Sequence, residues 1–147
     1  LRIALHVESS LDYFIGTYFN KPRDNKSYFR YLSEKRAFFH DSILRRLGFE
    51  TKKQIFKDIC KREEGNVDKI KEVFDCIEFI QNARNKIAHW DLRRTEKEGI
   101  FLQEKKRLTQ EINKLNLTDE FMGEINNARF KANEGIMDLD LSFSLKN

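Results

Sequence analysis

From Val67 to about Leu92, apolar side chains return every three or four positions: Ile70, Val73, Phe74, Ile77, Ile80 and Ile87 fall on one stripe. An amphipathic helix is the regular structure that gathers such spacing on a single face. A helix of this length must bury that stripe against other elements. The same spacing at Ala4, Val7, Leu11, Phe14, Ile15 and Tyr18 predicts a first helix over 1–19. "NKPRDN" at 20–25, which holds the only proline, breaks it. A second helix is expected over 27–47, with Gly48 as its stop after Arg45 and Arg46. A shorter helix over 51–62 is closed by "REEGN", and the stripe from Val67 makes the next helix the central one.

Beyond "DLRRTEKEG" the pattern changes. "IFLQEKKRL" at 100–108 fits either a short strand or a helix start. Asn116 or Thr118 can cap a further helix to about Asn133, with Phe121, Ile125 and Ala128 inward. "MDLDLSFSL" at 137–145 alternates after Gly135, and period two favours an extended segment. Six glycines argue against a loop-rich or all-β chain. The expected fold is therefore all-α: an up-and-down bundle of about four to five helices with a short extended segment near the C-terminus. Its 147 residues suit one domain, with a core in 1–92 and a C-terminal helix and tail in 93–147.

Charge narrows the function less than pattern does. A net charge of +4 permits a polyanionic partner without demanding one. No apolar run reaches membrane-spanning length, so no membrane partner is expected. Cys60 and Cys76 have no metal spacing and read as free thiols of a cytoplasmic protein. There is no glycine-rich phosphate loop, nucleophile elbow, zinc-spaced histidine pair or calcium loop, so neither metal nor cofactor is expected. His6 and His40 stand alone.

The chemistry concentrates at the end of the central helix, in "IQNARNKIAHW" at 80–90. At about 100° per residue, Val73, Ile77, Ile80 and Ile87 lie within roughly 60° of Arg84. Arg84 thus stands in the middle of the oily stripe. Asn85 and His89 stand at its edge, at about 100° and 140° from Arg84, with Ala88 between as a notch. A guanidinium buried without a partner is costly, so something must compensate it. A structural answer is an ion pair with Glu8, at the edge of the first helix's apolar face. A functional answer is RNA cleavage: a base for the ribose 2′-hydroxyl and a cation for charge developing on the phosphate. Imidazole suits the first role and the planar guanidinium the second. Lys86, Arg93 and Arg94 could meet an RNA backbone, within a mixed-charge face that also holds Glu96 and Glu98. Trp90 is expected to pack rather than stack on a base.

Arg84, Asn85 and His89, late in a long amphipathic helix, resemble the signature of the HEPN family. These are helical domains of prokaryotic toxins, abortive-infection proteins and other RNA-targeting systems. The resemblance covers 1–92 and extends loosely to the rest. It implies a homodimer whose two motifs form a composite cleft, and metal-independent cleavage leaving a 2′,3′-cyclic phosphate. His89 would then be the general base or acid, Arg84 the phosphate clamp and Asn85 the residue that orients them. It also implies RNA as substrate and an antitoxin or inhibitor protein as a further partner. Members modified by a nucleotidyltransferase antitoxin often carry tyrosine two places after the histidine. Here that place is Asp91, which could instead orient His89. Other members are binding or assembly modules, so a non-catalytic helical module for RNA or a partner protein stands as the alternative.

Overall fold

A computed structural model describes residues 2–19, 38–105 and 111–145. Helix α1 spans Arg2–Phe19, and its Val7, Leu11, Phe14 and Ile15 are buried along one face. The second expected helix falls largely outside the described residues; 38–42 are helical and lead into a 3-10 turn at Leu44–Arg46. Gly48 does not stop a helix. It stands in extended geometry as the N-cap of α2, Phe49–Arg62. Helix α3 spans Val67–His89, and the Asn66 side chain caps it by accepting the Lys69 backbone N–H at 3.0 Å. It ends three residues before the expected Leu92, because Trp90 turns extended at φ −95°, ψ 148°.

The turn from α2 to α3 carries backbone strain. Gly65 N–H donates to Cys60 C=O and Glu64 N–H to Lys61 C=O, the paired bonds of a Schellman ending. Such an ending needs one left-handed residue, usually glycine. Here Glu64 takes it at φ 50°.

The all-α expectation is corrected by a three-stranded antiparallel sheet after the motif helix. Strand β1 is Asp91–Thr95, β2 is Gly99–Lys105 and β3 is Ile112–Asn116, in the order β1-β2-β3. Register pairs Leu92 with Leu102 and Arg93 with Phe101, and then Leu102 with Leu115. Gly99 closes the first hairpin at φ 73°, a left-handed position that glycine occupies without strain. Phe101 and Leu102, neighbours on opposite faces of the central strand, are both buried. This explains why no alternation announces the sheet: its middle strand is covered on both sides there, and every residue of β1 is exposed.

Helix α4 spans Asp119–Leu145, with Thr118 Oγ1 accepting the Phe121 N–H at 3.1 Å as its cap. The extended tail expected at 137–145 is therefore helical. Ile136, Leu139 and Phe143 sit three and four apart, so they line one helical face, and all are buried. Met137 and Leu141, which made the alternation, are exposed.

Contacts fix the helix directions. Ser10 donates to Asn133 at 2.9 Å and Ile3 shares a cleft with Ile125, so α1 and α4 run parallel. Lys52 reaches Glu8 and Asp12 while Tyr18 donates to Glu63, so α1 and α2 are parallel too. Lys53 against Gln81, and Lys57 over Phe74, set α3 antiparallel to α2. The core is drawn from α1, α2, α3 and α4 and includes edge-to-face rings at Phe14–Phe56 (5.0 Å) and Phe14–Phe143 (6.1 Å). Helix α4 crosses α3 closely at Gly135, where an added Cβ would lie 2.1 Å from Val73 Cγ2.

Candidate active site

The start of α1, the end of α3 and the start of α4 meet at one end of the bundle, and β1 leaves from there. The buried stripe of α3 runs through Val73, Ile77, Ile80 and Ala83. Arg84 follows directly and is half-buried, beside a cleft of about 40 Å³ whose lining is otherwise apolar: Ile3 and Ala4 of α1, Ile80 and Ile87 of α3, Met122 and Ile125 of α4. Such a volume holds a few waters and no nucleotide. Among the described residues Arg84 makes no ion pair and no side-chain hydrogen bond. A cation in that position keeps its stem on the apolar lining and its head toward water.

The Glu8 pairing is not formed. Glu8 Oε1 accepts from Lys52 Nζ at 2.9 Å, and the same ammonium lies 2.9 Å from Asp12 Oδ1. Lys52 is only 2% exposed. Burial pushes its ammonium toward the neutral form, but hydrogen bonds to Asp12 and Glu8 outweigh this and hold its pKa above the ordinary lysine value. Glu8 and Asp12 stand four apart on α1, one helical turn that lets both reach Lys52.

Asn85 and His89 are exposed, and among the described residues neither has a side-chain partner. Asp91 does not orient His89; its carboxylate lies 3.6 Å from Arg93 at the exposed start of β1. Lys86 sits over the Trp90 ring, 5.3 Å from its centroid, and Trp90 is half-buried against the helix end. Arg93 and Arg94 are both exposed, yet neighbours on a strand point to opposite faces. They therefore cannot line one path together. On the helix, Arg84 and His89 are separated by about 7.5 Å of rise and about 140° of turn. No hydrogen bond joins them.

The other histidines play no part here: His6 is exposed and His40 Nδ1 lies 3.2 Å from its neighbour Asp41. Both cysteines are free. Burial pushes the Cys60 thiol up to about 12, so it is no nucleophile at neutral pH. Among the described residues no group of three or more His, Cys, Asp or Glu side chains could hold a metal ion. Among the same residues, no helix is long and apolar enough to cross a membrane. No protein-family model, curated protein or solved structure matches the chain.

Proposed function

We propose that this chain is a HEPN-like, metal-independent endoribonuclease that acts as a homodimer in the cytoplasm, as the toxin or effector of a bacterial toxin–antitoxin or anti-phage system. One observation carries the reading: an arginine without a counter-ion among the described residues stands in an apolar cleft, five residues before an exposed histidine that ends the same helix. The arginine's stem lies on the apolar lining while its head faces water, with no acidic side chain among the described residues holding it. The guanidinium is left available for an anion.

In the proposed reaction His89 takes the proton of a ribose 2′-hydroxyl, and that oxygen attacks the adjacent phosphorus. The bond from phosphorus to the 5′-oxygen breaks, and the leaving oxygen takes a proton from an imidazolium. The products are a 2′,3′-cyclic phosphate and a 5′-hydroxyl end. Arg84 offsets the negative charge that builds on the phosphoryl oxygens. Asn85, one residue on, supplies a donor and an acceptor at the same helix edge.

The resemblance implies a second copy, which would bring two Arg84–His89 motifs into one cleft. Exposed apolar groups beside the motif, Met122 on α4 and Leu92 on β1, fit a covered surface there. The alternative, a non-catalytic module for RNA or a partner protein, would have to do without an Arg84–Glu8 pair, since Glu8 is held by Lys52. The test is to incubate purified protein with RNA in excess chelator and analyse the ends. Cyclic phosphate and 5′-hydroxyl ends are expected; intact RNA, or 3′-hydroxyl ends, would overturn the proposed reaction.

A further inference from the structure

A second site lies away from the motif, between α2 and α3 beside the turn that joins them. A groove of about 540 Å³ opens there, within the range of small-molecule sites. Its floor is apolar, built from Phe74, Ile70 and buried Cys60. Val67, the first residue of α3, stands at its edge with 77% of its surface exposed. Its polar lining is charged. Lys57 and Lys61 of α2 face Lys71 of α3, with Glu64 and Asp75 on the same rim. Lys57 lies over the Phe74 ring, 4.9 Å from its centroid. Among the described residues Lys57, Lys61 and Lys71 make no ion pair, whereas the neighbouring Lys53 is held by Glu50 and Gln81.

We propose that this groove binds an amphiphile with an anionic head, a medium-chain carboxylate or its equivalent, with its chain on Ile70, Val67 and Cys60 and its head among the three lysines. Three ammoniums without an ion pair among the described residues favour an anionic head over a cationic one. The apolar floor explains why a bare anion does not suffice. The chain's own segment 20–37 is a poor occupant, because it carries Lys21, Arg23, Lys26, Arg30, Lys35 and Arg36 against Asp24 and Glu34. This site is independent of the nuclease reading and survives its failure.

The experiment is calorimetric titration of the whole chain with decanoate, decylamine and acetate. Decanoate is expected to saturate at one per chain and to bind about tenfold more tightly than decylamine, the scale set by two or three partly exposed charge pairs. Acetate should not bind. The double variant K57E/K71E, with an unchanged melting temperature, should lose decanoate and gain decylamine. Three results would overturn the proposal: no saturable decanoate binding, equal binding of both head groups, or lysine cross-links from the rim to 20–37 that decanoate leaves in place.

Discussion

Replacing Arg84 with methionine separates a functional arginine from a structural one. The two side chains are similar in length, so the thioether of an Arg84→Met variant covers the same cleft lined by Ile3, Ile80, Met122 and Ile125. No ion pair is lost, because Arg84 has none among the described residues. What changes is that a half-buried cation is replaced by a group with no desolvation cost. If methionine removes roughly 40 Å² more apolar surface from water, the gain is about 1 kcal/mol. For a chain of this size that raises the melting temperature by about 2–4 °C. Urea unfolding of both proteins measures it, and cleavage of RNA by the same samples should fall by about 10²–10³-fold. A loss of stability above about 2 kcal/mol would mean that Arg84 holds the fold together through a partner, and would refute the argument that it is kept for an anion.

Other consequences follow from the packing and the buried charges. Gly135→Ala drives a methyl into Val73, so it should cost about 1–3 kcal/mol despite better helix propensity. Val73→Ala in the same chain should recover part of that loss, and strict additivity in a thermal double-mutant cycle would contradict the close crossing. Lys52→Met leaves the half-buried Glu8 and Asp12 without their cation and should cost about 2–4 kcal/mol by urea unfolding; a change under about 1 kcal/mol would refute the pairing of buried Lys52 with both acids. The native state holds Cys60 protonated up to about pH 12, while the unfolded thiol ionises from about 9. The stabilisation is therefore complete below pH 9 and is lost as pH rises, by about 1.4 kcal/mol at pH 10. Unfolding midpoints at pH 8 and pH 10 should show a smaller fall for Cys60→Ala than for the parent.

The helical stripes were legible because the residues that carry them are the residues that are buried. Val73, Ile77 and Ile80 declare α3, and Val7, Leu11 and Phe14 declare α1. The sheet was not legible, for a physical reason. β1 is "DLRRT" with every side chain exposed, so no alternating hydrophobic signal exists to read, and backbone pairing to β2 places it. The tail misled because Leu139 and Phe143, four apart, satisfy both period two and a helical face. At the site, one helix was enough to place Arg84 on the oily stripe and His89 at its edge. Glu8's true partner needed a second helix, since nothing in Lys52's neighbourhood along the chain marks it as buried.

The most direct measurement is the rate at which the chain and its His89→Ala variant cut RNA in chelator, at matched melting temperature. His89 is exposed and, among the described residues, without a side-chain partner, so its loss should leave the fold intact and reduce cleavage by about 10²–10⁴-fold. Cleavage at the parental rate by the folded variant would contradict the account.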